Sequence, residues 1–110
     1  MIEPSEYTLD EYQNHALATA VYPAKTALEY CLLQLASEAG EAAGKLAKAL
    51  RKGAYVDREA LAYELGDVLW YVANTANVIG YDLSMIAEMN TEKLKDRTVR
   101  GVIHGDGDNR

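Results

Sequence analysis

The sequence predicts an all-α protein, a four-helix bundle folded as one domain over residues 1–110. Three observations carry that expectation. Apolar residues recur at alternating intervals of three and four through most of the chain. Residues that start and stop helices punctuate it at matching places. No stretch shows the strict alternation that a half-buried strand requires. A chain of 110 residues suits one core rather than two, and a composition 49% hydrophobic and 25% charged is that of a globular fold.

The first helix is expected from Thr8, whose hydroxyl can cap it while Glu11, three residues on, completes a capping box. It carries Tyr12, His15, Ala16 and Thr19 and stops ahead of Tyr22-Pro23, because proline disfavours helix in the residue before it. The second runs from about Ala24 to Arg51, with Leu28, Leu32, Leu35, Ala39, Ala42, Leu46 and Ala49 as its apolar seam. Gly53 ends it. Asp57 is placed to cap the third, whose seam is Leu61, Leu65, Val68, Val72, Ala76 and Ile79, closed by Gly80. Asp82 is placed to cap the fourth, with Leu83, Ile86, Ala87 and Leu94 on its stripe. Periodicity fades after about Thr98, and residues 99–110 read as a glycine-rich tail. Bundles of this size commonly leave apolar surface for a partner, so the fold is expected to be oligomeric.

Charge and cysteine usage narrow the function. A formal net charge of −6 argues against a nucleic-acid partner. It also means that a phosphate-handling protein of this composition needs metal ions or a local basic cluster. Apolar runs are too short to span a membrane, and the start Met1-Ile2-Glu3-Pro4-Ser5-Glu6 resembles no signal peptide. A single cysteine, Cys31, fits a reducing compartment. The expectation is cytoplasmic.

Chemistry enters with two carboxylate pairs, Glu38-Ala-Gly-Glu41 and Glu64-Leu-Gly-Asp67. Residues three apart share one face of a helix. By about 100° of rotation per residue, each pair lies roughly 110° to the same-handed side of its own apolar seam. Counted from the connecting loop at about 1.5 Å per residue, the pairs sit roughly 19 Å and 13 Å along, about one turn apart. In an antiparallel hairpin the four carboxylates should converge. Four like charges that close call for a counter-ion, and an all-oxygen set selects Mg²⁺, Mn²⁺ or Ca²⁺. Gly40 and Gly66, one inside each pair, suggest close approach by a backbone or a ligand.

The order and spacing of these motifs resemble the MazG-like branch of the all-α nucleoside triphosphate pyrophosphohydrolases. The resemblance runs from Thr8-Leu9-Asp10-Glu11-Tyr12-Gln13 through Leu35-Ala36-Ser37-Glu38-Ala39-Gly40-Glu41 and Tyr63-Glu64-Leu65-Gly66-Asp67-Val68-Leu69-Trp70-Tyr71 to the segment from Asn90 through Lys93 and Leu94 to Arg97. It implies a homodimer or homotetramer, and Mg²⁺, replaceable by Mn²⁺, held by Glu38, Glu41, Glu64 and Asp67. It also implies attack of water on the α-phosphorus of a ribo- or deoxyribonucleoside triphosphate. The products would be the monophosphate and pyrophosphate, in housecleaning of the nucleotide pool. Glu41 is the candidate general base. A related pyrophosphohydrolase acting on a phosphoribosyl nucleotide stays open, as does a non-catalytic helical interaction module on the same scaffold. A di-iron bundle does not fit, since neither histidine follows a glutamate at the Glu-x-x-His spacing.

The fourth helix adds candidates of its own. Asn90, Lys93 and Arg97 share the angular sector of its apolar residues, and polar groups on such a stripe need partners. Either they meet the β- and γ-phosphates, or the two cations complement the helix dipole near its C-terminus. Tyr71 and Asn74 continue the Glu64–Asp67 face and could touch base or sugar, although an aromatic there equally serves packing. Trp70 reads as core or subunit interface, His15 and His104 as uncommitted. The tail could fold over a phosphate through its amides, and Asp106 and Asp108 equally read as solubilising charges.

Overall fold

A computed structural model describes residues 6–101. The expectations placed on His104, Asp106, Asp108 and most of the glycine-rich tail lie outside those residues. Four helices are present: α1, Leu9–Ala18; α2, Ala27–Arg51; α3, Arg58–Val78; and α4, Leu83–Arg100. There is no strand among the described residues, and none of their helices is long and apolar enough to cross a membrane.

Local chemistry explains most of the boundaries. Thr8 Oγ1 accepts from the Glu11 amide at 3.1 Å, and the Glu11 carboxylate accepts from the Thr8 amide at 3.4 Å, which completes the expected capping box. A short 3₁₀ turn, Ala24–Thr26, follows Pro23, so α2 begins three residues later than the sequence suggests. Asp57 caps α3 by accepting from the amides of Glu59 and Ala60. Gly53 and Gly80 follow α2 and α3 with φ of 64° and 81°, the left-handed backbone that glycine takes without strain. α4 continues two residues beyond Thr98 before Gly101 ends it.

The start of α4 differs from expectation. Asp82 occupies the N-cap position but makes no capping hydrogen bond. Asp10 of α1 takes that role, its carboxylate accepting from the Ser84 amide at 2.9 Å and from Ser84 Oγ at 2.7 Å. Gln13 Oε1 accepts from the Leu83 amide at 2.9 Å, while its Nε2 donates to the carbonyls of Ala73 and Tyr81. One buried glutamine thus ties α1 to the end of α3 and the start of α4.

The core lies at that junction. Ala16, Ala73, Ala76 and Leu83 are buried, with Tyr12, Trp70, Val72 and Ile86 packed against them. α2 packs along α3 as a helical hairpin, yet Cys31 is its only fully buried side chain among the described residues. Much of the seam expected to close this hairpin remains open: Leu32 and Leu46 are each 48% exposed and Leu65 is 57% exposed. The radius of gyration, 16.6 Å, exceeds the roughly 13 Å of a compact domain of about 100 residues. A single chain therefore leaves a large part of its apolar surface uncovered.

Candidate metal centre

Glu38 and Glu41 stand on successive turns of α2, and Glu64 faces them from α3. One carboxylate oxygen from each lies within 4.8 Å of the other two. Asp67, one turn beyond Glu64, is close enough that its charge raises the pKa of the Glu38 carboxyl. Burial is the largest cause of that rise, followed by the charges of Glu41, Asp67 and Glu64. Of the four carboxylates expected to converge, Glu38, Glu41 and Glu64 come together, with Asp67 near Glu38. This arrangement arises because two antiparallel helices offset their pairs to the same side.

The electrostatics of this cluster are unresolved within the chain. Glu38 Oε2 and Glu64 Oε2 are buried and have no hydrogen-bond partner. Lys45 reaches Glu64 Oε1 at 3.6 Å, crossing from α2 to α3 rather than pairing along its own helix with Glu41. Among the described residues, one lysine against four carboxylates leaves the charge far from balanced. Buried oxygens without donors are costly, and an all-carboxylate donor set suits a hard divalent cation. The residues present therefore fit a metal such as Mg²⁺ or Mn²⁺. An added Cβ on Gly40 or Gly66 would meet nothing within 4 Å, so the close backbone approach that these glycines suggest is not made among the described residues.

Two clefts open beside Glu38 and Glu41, and a third, about 810 Å³ and lined by Tyr12, Arg58, Tyr63 and Trp70, touches the cluster at Asp67. The first, about 370 Å³, is lined by Glu38, Asp67, Trp70, Tyr71, Thr19 and Val21. Tyr71 belongs to it, and burial together with the nearby Tyr30 and Glu38 raises its phenol pKa. Trp70 stands at 81° to Tyr71 with centroids 4.9 Å apart, and its indole Nε1 donates to Thr19 Oγ1 at 2.8 Å. The second cleft, about 420 Å³, is lined by Glu41, Gly44, Lys45, Lys48, Arg51 and Glu64.

The remaining candidates fall elsewhere. Asn74 is 1% exposed and does not face either cleft; its Nδ2 donates to the carbonyls of Trp70 and Ala16, and its Oδ1 accepts from Tyr22 Oη at 2.9 Å. The side chain that the sequence offers for a base or sugar contact is used to hold α1 and the following loop against α3. Asn90, Lys93 and Arg97 lie on α4, which makes no close backbone contact with α2 and lines neither cleft. Arg97 is buried, Lys93 half-buried and Asn90 exposed. Cys31 has no exposed surface, and burial raises its thiol pKa, so nothing activates it as a nucleophile. His15 is exposed on α1, tilted against Tyr7.

The fold and site together are an all-helical hairpin that bears two facing carboxylate pairs. The family model for the MazG nucleotide pyrophosphohydrolase domain matches residues 26–101. The chain belongs to that family. It is also similar to the Gene 37 protein of Mycobacterium phage L5, with 44% identity covering 93% of this chain and 98% of that protein. No solved structure gave a significant match.

Proposed function

We propose that this chain hydrolyses a nucleoside or deoxynucleoside triphosphate to the monophosphate and pyrophosphate, as a Mg²⁺-dependent housecleaning enzyme of the cytoplasmic nucleotide pool. The observation that supports it most is the convergence of Glu38, Glu41, Glu64 and Asp67 with two buried carboxylate oxygens left without partners. These four residues would hold the metal. A divalent cation bound there supplies charge screening for the phosphates and lowers the pKa of water.

The chain's own groups supply the rest. Glu41 is exposed and stands where the second cleft begins, placed to accept the proton of a water attacking the α-phosphorus. As the new O–P bond forms, the bond to the bridging oxygen breaks and pyrophosphate leaves. Tyr71, beside Glu38 in the first cleft, is assigned to base or sugar. Asn74 acts behind it by fixing Tyr22 and the carbonyl of Trp70. Asn90, Lys93 and Arg97 are assigned to substrate phosphates. Since α4 lines neither cleft within one chain, this assignment brings them from a second copy. The half-exposed leucines of α2 and α3 supply the apolar surface for such a homodimer or homotetramer.

Incubation with a panel of ribo-, deoxyribo- and modified triphosphates plus Mg²⁺ tests the proposal. Monophosphate and pyrophosphate are the expected products. Orthophosphate as the first product, or full activity in EDTA, excludes it.

A further inference from the structure

Glu41, Lys45, Lys48 and Arg51 recur every three or four residues along α2 and so form one row on a single face. The second cleft follows this row, with the carboxylates of Glu41 and Glu64 at one end and the guanidinium-bearing Arg51 at the other. The chain carries 11 Lys and Arg against 17 Asp and Glu, yet Lys45, Lys48, Arg51 and Lys52 crowd into the last two turns of α2. We propose that this row is the seat of the terminal phosphates, so that the leaving pyrophosphate is gripped by Lys48 and Arg51 of the same chain that holds the metal. The proposal rests on the function proposed above and assigns it a product-binding arm.

Dimensions agree with this use. From Glu41 the row rises about 6 Å to Lys45, about 10 Å to Lys48 and about 15 Å to Arg51, while a triphosphate chain is about one helical turn, ~5.4 Å, long. With its α-phosphorus at the carboxylates, the terminal phosphates come level with Lys45 and about one turn short of Lys48, whose side chain leaves the helix tilted back towards the N-terminus and so towards them. Arg51 reaches back towards them, and its planar fork suits two phosphate oxygens at once. Lys45 now neutralises Glu64 at 3.6 Å, and a change of rotamer would carry it to a phosphate. Gly44 lines the same cleft from a helix interior, where glycine is disfavoured, and a Cβ added there would meet nothing within 4 Å. No packing among the described residues requires that glycine.

Cations at a helix C-terminus also complement the helix dipole, and Lys52 provides the discriminating control. It belongs to the same cluster at the C-cap of α2, but lines a neighbouring groove with Tyr55 and Val56, which Lys45 and Lys48 also border and Arg51 does not, and it does not line the cleft that holds Glu41 and Glu64. A field effect would treat Lys52 and Arg51 alike, whereas a seat would not.

The experiment is calorimetric titration of inorganic pyrophosphate into the Mn²⁺-loaded full chain, paired with the same titration of a nucleoside monophosphate. Lys48→Ala and Arg51→Ala should each weaken pyrophosphate binding roughly tenfold, as expected for a lost charge-assisted contact. Monophosphate affinity, Mn²⁺ affinity and the helical circular dichroism should not change, and Lys52→Ala should match wild type throughout. Equal losses for Lys52→Ala and Arg51→Ala overturn the proposal, as does a loss of pyrophosphate binding confined to Lys93→Ala. Triphosphate turnover is measured in parallel. A chain that hydrolyses triphosphates while Lys48 and Arg51 leave pyrophosphate binding untouched refutes the seat alone. A chain that binds pyrophosphate through them without hydrolysing any triphosphate refutes the proposed reaction alone.

Discussion

Two clusters of polar side chains lie along α3, and they are built on opposite terms. At its C-terminal half, Gln13 and Asn74 are buried with both ends of each amide bonded to backbone carbonyls, an amide or Tyr22. At its N-terminal half, Glu64 and Asp67 face Glu38 and Glu41, and two carboxylate oxygens are buried without a donor. Amides can satisfy one another and the backbone, whereas carboxylates only accept. A cluster of acceptors alone is incomplete, and nothing among the described residues balances it. The first cluster is therefore a joint, and the second, in the function proposed above, is a socket.

The sharpest way to break that comparison is to remove charge from the socket. Glu38→Gln, Glu41→Gln, Glu64→Gln and Asp67→Asn should each lower kcat/KM with Mg²⁺ on the order of a hundredfold or more. Circular dichroism should stay helical, and thermal midpoints in metal-free buffer should hold or rise because each change relieves repulsion. Two near-wild-type variants among the four would mean that the socket is elsewhere.

Asn74→Ala should do the reverse. It strips partners from Tyr22 and leaves a small void, and should cost about 2–4 kcal/mol of stability in urea denaturation. Metal affinity of the folded fraction should be unchanged.

α4 tests whether the two regions cooperate. Lys93→Ala should reduce kcat/KM by about tenfold to a hundredfold, roughly 1.5–3 kcal/mol, with metal affinity unaltered. Lys95, exposed and 3.6 Å from Glu92 on its own helix face, serves as control. Identical steady-state kinetics for the two variants would restrict α4 to the joint.

The smallest effect concerns acid. Hydrogen bonds from Ser84 hold the Asp10 carboxyl below its ordinary pKa. A group whose folded pKa is lowered stabilises above its unfolded value and loses that contribution as pH falls through the folded one. Protection of the amides at the start of α4, corrected for their intrinsic exchange rates, should therefore fall below the ordinary carboxylate range, and Asp10→Asn should flatten that dependence.

The socket was legible in the sequence because its information is local. Three-residue spacing sets each pair on one face, and a short α2–α3 connection sets the faces opposite. The capping box at Thr8 and Glu11 and the cap at Asp57 are local in the same sense. The joint was not legible. Gln13 and Asn74 are polar residues on amphipathic helices, a pattern that normally marks the solvated side. Their burial depends on partners about 60–70 positions away in the chain, at Ala73, Tyr81, Leu83 and Ala16. Asp10 displaced Asp82 as the cap of α4 for the same reason, since only the tertiary approach of α1 brings it there. The apolar seam was read correctly as a pattern, but a pattern cannot say whether a helix of this chain or of another covers it.

The chain contains one tryptophan, and its position joins these two regions. Trp70 packs on the buried alanines of the core, its carbonyl accepts from Asn74, and its ring shares a cleft with Glu38 and Asp67. Its indole N–H is tethered to Thr19, and Tyr71 stands edge-on beside it. Excited at the red edge of its absorption, where the eight tyrosines do not absorb, this protein emits from one indole beside the carboxylate cluster. Filling of the socket and melting of the joint become two optical signals from one ring, separable by whether the spectrum shifts with metal alone or only with loss of helix.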